Sequence, residues 1–389
     1  MLILVLVVVG ALAFDFTNGF HDTANAVATS IATGALKPRV AVLMAAVLNF
    51  VGAFISISVA ATIAKGIVTP TVLAGGEGLV LVLAALIGAI LWNLITWYLT
   101  IPSSSSHALI GGVIGATIVA AGSGAVNVHN LVRSVIVPAV LSPFICGAVA
   151  LLGTVAAYRL IRMLRAGEAV KGYRLGQIGS AALVALAHGT NDAQKTMGVI
   201  SLALIAHGDI STTHFYVPLW VKLGCALAIA LGTATGGWRI INTMGNRLTR
   251  VEAPQGFAAE SSSAAVILAS SYYGYPLSTT QVVSGGVTGA GLGKRLASVH
   301  WDVVGQMVTA WLVTIPSAAL LGAAAWEISD LFSSSAAGSV VIALIAAAGA
   351  AVLYKLAQRS QITPDDLDRT TVTPEVSVAP LTHTSPASA

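Results

Sequence analysis

Charge is what this 389-residue chain has least of: only 9% of its residues are Asp, Glu, Lys or Arg, against about 25% in an ordinary soluble domain. With 56% hydrophobic residues, a water-soluble fold would expose more apolar surface than solution tolerates. Cysteine is nearly absent. Cys146 and Cys225 stand alone inside apolar runs, which excludes a disulfide framework and reads as two small core residues. A positive n-region is missing as well. Residues 2–13 (LILVLVVVGALA) end like a signal peptide, yet nothing before Phe14 is charged, so the stretch reads as the retained first half of a membrane helix. The net charge of +4 implies no nucleic-acid partner, because the basic residues sit in short loops between apolar runs.

What is present is apolar sequence in runs of roughly 20 residues, the length that crosses a hydrocarbon core of about 30 Å as a helix. The runs lie at about 1–36, 40–63, 78–100, 102–122, 131–157, 176–206, 216–238, 256–275, 276–293, 301–325 and 337–356. They predict an all-α polytopic membrane protein with about 10–12 membrane segments, in a plasma membrane. Lys37 and Arg39; Arg159, Arg162, Arg165, Lys171 and Arg174; Arg239, Arg247 and Arg250; Lys294 and Arg295; and Lys355 and Arg359 mark five cytoplasmic loops. Only Lys65, Arg133 and Lys222 fall on the opposite side. Five segments precede the basic stretch, an odd number, so a repeat that follows it is inverted. The predicted units are residues 1–157 as a first repeat, 158–175 as a basic cytoplasmic linker, 176–357 as a second repeat plus a final helix, and 358–389 as a disordered cytoplasmic tail.

Two pairs of short motifs carry the duplication. PSSSSHALIGGVIGA (Pro102–Ala116) and PLSTTQVVSGGVTGA (Pro276–Ala290) agree at seven of fifteen positions. GFHDTAN (Gly19–Asn25) and GTNDAQK (Gly189–Lys195) share a glycine and an aspartate, at nearly the same separation and in the same order. Asp22 and Asp192 each lie in an otherwise apolar segment, where an unpaired carboxylate costs several kcal/mol and must face a protein-lined cavity with a partner. The first segment would be about 50 Å long as one helix, so a break at Asp15–Asp22 is expected, with half-helices meeting at a central site.

Each serine run follows a proline that suits the first helical turn, and a helix N-terminus dressed in hydroxyls is an oxyanion site. Two such ends, inverted and facing, would surround a tetrahedral anion with Ser104, Ser105, Ser106, Ser278, Thr279 and Thr280. A carboxylate accepts a hydrogen bond from protonated phosphate but repels sulfate. The paired aspartates therefore favour phosphate, or a cation bridging carboxylate and anion.

On these residues the chain resembles the inorganic phosphate transporter (PiT) family, in its bacterial low-affinity branch. The carriers are FDFTNGFHDTANAVATSIATGALKPR (14–39), IPSSSSHALIGG (101–112), ALAHGTNDAQKTMG (185–198) and GFAAESSSAAVILASSYYGYPLSTTQVVSGG (256–286). The resemblance implies secondary phosphate transport by alternating access, with Asp22, Asn25, Asn191, Asp192 and Lys195 joining the hydroxyls around the substrate. Asp22, Asp192, His21, His107 and Glu260 are candidates for the coupling ion; no cofactor and no fixed metal are expected. The chain departs from the duplicated G-x-N-D-x-x-N pattern at His21 and at Lys195, and Gln281 replaces the histidine kept as His107. Lys195 matters most: a fixed ammonium beside the anion can stand in for sodium, which points to proton coupling or to transport of a neutral metal–phosphate complex. Sodium coupling stays open, as does assembly as a homodimer. His188 has no motif partner and reads as structural.

Other functions weigh less. A sulfate or other oxyanion permease would use the same scaffold, and a channel is compatible with inverted half-helices. An enzyme explains neither the duplication nor the absence of a further His/Asp set at metal-ligand spacing.

Overall fold

A chain inside lipid must satisfy its backbone hydrogen bonds internally, so apolar runs of this length become helices. The computed structural model describes residues 1–68, 76–163, 166–211, 214–294, 299–358 and 362–370. The first repeat comprises α1 (Leu2–Ala32), α2 (Pro38–Gly52), α3 (Ser58–Gly66), α4 (Gly76–Tyr98), α5 (Ser105–Ala121) and α6 (Val128–Leu131), which passes through a π turn into α7 (Val137–Met163). The second comprises α8 (Ala166–His207), α9 (Leu219–Thr235), α10 (Trp238–Asn242), α11 (Ala253–Tyr272), α12 (Thr279–Lys294) and α13 (Trp301–Asp330). α14 (Ser335–Ala357) and α15 (Pro364–Thr370) follow. Among the described residues there is no sheet, only the isolated bridges Val68–Val126 and Thr249–Val299.

The two halves correspond element by element and form two inverted-topology repeats. Long α1 matches long α8. The broken pair α2/α3 matches the pair formed by α9 and residues Trp238–Arg247, bent by 62°. The α4–α5 hairpin matches α11–α12, and α7 and α13 each carry an internal proline, Pro143 and Pro316. The halves are also interleaved: α1 packs on α9, α2 on α8, α5 on α13 and α12 on α7. Among the described residues, five helices are long and apolar enough to cross a membrane alone. Phe144, Leu312, Leu320 and Leu344 on α7, α13 and α14 are exposed, as side chains facing lipid would be.

Three expectations are corrected. α1 has no break at Asp15–Asp22; it is continuous from Leu2 to Ala32. Its Thr17 and Thr23 hydroxyls donate to the Phe14 and Gly19 carbonyls, and its Asn18, Asp22 and Asn25 find partners on other helices. With those side chains satisfied, the backbone has no reason to unwind. The interruptions fall instead just before α5 and α12, where Pro102 and Pro276 lie in extended chain. Next, the linker is mostly helix, since α7 extends to Met163 and α8 begins at Ala166. Lastly, the expected disordered tail contains α15. Thr363 and Asp366 cap its start reciprocally, Leu367 is buried, and Asp365 pairs with Arg39 at 3.5 Å. The expectation for residues 371–389 lies outside the described residues.

Glycine holds the interleaved contacts close. A Cβ at Gly115 would lie 1.9 Å from the Ala319 carbonyl oxygen, and one at Gly289 2.0 Å from that of Gly147. These positions are repeat-related and permit the same kind of close helix pair, α5 with α13 and α12 with α7. Gly289→Ala is expected to destabilise the protein by about 1–3 kcal/mol through overpacking against backbone. Gly124→Ala, where a Cβ meets nothing within 4 Å, is expected to be near neutral. Thermal unfolding of both variants in detergent checks the contrast.

Candidate substrate and ion site at the repeat interface

α5 and α12 begin in the protein interior, and their first turns meet α1 and α8. Ser104 caps α5 by accepting from the His107 backbone N–H at 3.1 Å. Ser278 does the same for Gln281 at 3.3 Å. Both hydroxyl oxygens are therefore committed to capping. The next residues reach outward from the cap. Ser105 donates to Asp22 Oδ2 at 2.7 Å and to Asn18 Oδ1 at 2.6 Å. Its counterpart Thr279 donates to Asp192 Oδ2 at 3.2 Å. One position further on, Ser106 accepts from Lys195 Nζ at 2.5 Å, and Thr280 accepts from Asn25 Nδ2 at 3.0 Å. The Ser105–Asp22 and Ser106–Lys195 contacts thus recur in the other repeat as Thr279–Asp192 and Thr280–Asn25.

All of these side chains are buried. Lys195 Nζ donates to three oxygens: Asp192 Oδ1 at 2.5 Å, Ser106 Oγ at 2.5 Å and the Leu277 carbonyl at 2.8 Å. An ammonium has three N–H donors, and all three are used. Asp192 Oδ2 also meets His188 Nε2 at 3.2 Å and Asn18 Nδ2 at 3.4 Å. Asp22 Oδ1 lies 2.6 Å from His21 Nδ1, whose ring reaches Thr96 Oγ1 at 3.3 Å through Nε2. With neutral imidazoles, the centre holds two carboxylates against one ammonium.

Most of the residues expected at the site are brought together: Asp22, Asn25, Ser105, Ser106, Asp192, Lys195, Thr279 and Thr280. Asn191 turns away and donates to Ser271 Oγ at 2.9 Å and to the Tyr275 carbonyl at 3.3 Å. His107 meets Gln281, its own repeat counterpart, at 3.5 Å. Glu260 stands apart from the centre, accepting from Thr29 and Ser180 at 2.6 Å each and from Gln177 at 3.2 Å.

His188, read from sequence as structural, lies at the centre beside Asp192 and Asn49. With Asp22 and Asp192 it forms a His/Asp set whose potential ligand atoms lie within 4.8 Å of one another, so a set at metal-ligand spacing does exist. Its signal was the one-turn step from His188 to Asp192, which matches the step from Asn18 to Asp22 in the first repeat. Asn18 and His188 form a third matched pair that differs in residue type. The completing ligand, Asp22, comes from the other repeat and leaves no local spacing to detect.

A model of the phosphate transporter family matches residues 18–171 and again 162–322. The chain belongs to that family. The double match mirrors the repeats, and membership makes this a transporter, not an enzyme, embedded as a multi-pass protein of the plasma membrane. A "Probable low-affinity inorganic phosphate transporter" of Mycobacterium bovis is 59% identical over 323 residues, covering 83% of this chain and 76% of the relative. One of the same name from Bacillus subtilis is 44% identical over 335 residues, covering 85% and 98%. The solved structure of a sodium-dependent phosphate transporter superposes with a TM-score of 0.76 at 26% identity, covering 85% of this chain and all of that one.

The transporter's Asp192–Lys195 pair is tested by a double-mutant cycle. Lys195→Met leaves a buried carboxylate without its ammonium and is expected to cost about 3–5 kcal/mol of stability. Adding Asp192→Asn is expected to recover most of that loss, read from thermal or denaturant unfolding in detergent.

Proposed function

We propose that the transporter imports inorganic phosphate by secondary active symport, with a proton as the coupling ion. The observation that carries this is Lys195. Its ammonium occupies a nest of three oxygens where the repeat-related residue is the neutral Asn25. A fixed cation in an all-oxygen nest does what a bound sodium ion would do, and leaves less need for one.

Charge requires some cation to travel with the anion. An added negative charge about 4 Å from either carboxylate is repelled by about 4 kcal/mol at an effective dielectric of 20. Protons on phosphate relieve this twice over: they lower its charge, and they donate to Asp22 or Asp192. Sulfate at neutral pH offers neither. The carboxylate–imidazole set of Asp22, His188 and Asp192 also suits a divalent metal arriving with phosphate as part of the cargo. The equivalent contacts of the two repeats support transport by alternating access. Ser105 on Asp22 and Thr279 on Asp192 are equivalent, so the same site can be opened from either side by moving one repeat against the other.

The reading is tested by uptake of labelled phosphate into proteoliposomes under an imposed pH or sodium gradient. Accumulation driven by the pH gradient, unaffected by excess sulfate and abolished in Asp22→Asn, is expected. Competition by sulfate would instead favour an oxyanion permease, and a sodium-only response would overturn proton coupling. Lys195→Asn is expected to make uptake sodium-stimulated by at least about fivefold.

A further inference from the structure

One buried acid takes no part in the site just described. Asp15 lies on α1, fully buried, and neither carboxyl oxygen finds a hydrogen-bond partner of normal geometry. The side chain facing it, Thr196 on α8, also has an unpaired, fully buried hydroxyl. Asp15 follows Phe14 and approaches Cys225 of α9, and both of those belong to the larger apolar core, with Ile200 and Ile229. An acid and a hydroxyl set against each other inside such a core, neither with another partner, mark a place where the charge state of the acid matters.

Position fixes its relation to the centre. Seven residues separate Asp15 from Asp22, almost two helical turns, so both lie on nearly the same face of α1, about 10 Å apart along the axis. Asp15 is on the side away from the loop carrying Lys37 and Arg39. Among the described residues, the charged groups within electrostatic reach are Asp192 and Lys195 on α8, and the Cys225 thiol on α9 is also within that reach. α4, which also packs on α1, carries titratable groups only near its ends, Glu77 and Tyr98.

This place suits a proton better than a calcium- or magnesium-type cation. Hard cations of the size of calcium or magnesium gather about six or more oxygens; here two carboxyl oxygens and one hydroxyl stand in apolar surroundings. An ionised carboxylate left bare in that setting is costly, whereas a neutral carboxylic acid needs only the one hydroxyl opposite. We propose that Asp15 is a proton-binding residue of this transporter, coupled through space to phosphate at the centre. The inference rests on the proton-symport reading above. Asp15 takes up one proton, passing from carboxylate to carboxylic acid. Phosphate bound beside Asp192 and Lys195 adds negative charge within reach and strengthens that uptake. By reciprocity the proton on Asp15 strengthens phosphate binding by the same factor.

Asp15→Asn imitates the protonated acid permanently. In proteoliposomes this variant is expected to lose accumulation driven by a pH gradient by at least about tenfold. It is expected to retain exchange of labelled for unlabelled phosphate, which needs no net proton movement; Asp15→Glu is expected to restore the driven uptake. If Asp15→Asn accumulates phosphate like the wild type, the Asp15 proposal falls and proton coupling stands. If the wild type ignores the pH gradient, both fall together. Loss of exchange in a folded Asp15→Asn protein would assign Asp15 to phosphate binding or to structure, against the proposal. Should Asp15→Asn not fold, infrared difference spectra of the wild type and Asp15→Glu decide: a protonated carboxyl band that shifts between them supports the proposal, and no shift overturns it.

Discussion

Carboxylates buried where water cannot reach them constrain everything else in this molecule. Asp22 and Asp192 sit in the middle of a low-dielectric bundle, and neither could stay ionised without donors supplied by the protein. The donors come from the first turns of α5 and α12, which have to start inside the membrane to provide them. Helices that start at mid-depth need hairpin partners, α4 and α11, to bring the chain there. They also need close packing against α13 and α7, which bare glycine surfaces permit. The architecture is thus largely the set of elements required to present two hydroxyl-bearing helix ends to two acids.

α1 and α8 answer the same constraint along their length. On α1 the polar residues Asp15, Asn18, Asp22, Asn25 and Thr29 recur every three or four positions, a single stripe on one face. α8 carries His188, Asp192 and Lys195 at the same steps of four and three as Asn18, Asp22 and Asn25. Each is a helix with a wet seam turned inward and an apolar back, the inverse of a soluble surface helix. The seams gather a large share of the buried polar side chains onto two elements of a chain that is otherwise poor in charge.

Much of this was legible in the sequence, and for definite reasons. The matched spacing of Gly19–Asn25 with Gly189–Lys195, and of Pro102–Ala116 with Pro276–Ala290, survives because each copy must make the same contacts with the other. Ser105, Ser106, Thr279 and Thr280 were recoverable because a helix start, a proline and hydroxyls are all local signals. Continuity of α1 was not. Gly19, Asn18 and two aspartates resemble a helix break when read locally, and only partners on other helices show that the backbone has no need to open there. His188 and Asn18 were hidden for a related reason: the duplication kept their place but changed their chemistry. α15 was obscured by prolines, although Pro364 occupies a first-turn position where proline is favourable.

His107 and Gln281 meet across the junction of the repeats, each facing its own duplicate. A tandem fusion of identical halves would place the same side chain on both sides of that contact, where two like groups must share one role. Divergence to imidazole on one side and amide on the other supplies a donor for an acceptor. It also makes the halves inequivalent at the point where they touch. The two copies are therefore not interchangeable at this contact, and a molecule assembled from two equal parts carries a built-in asymmetry at its centre.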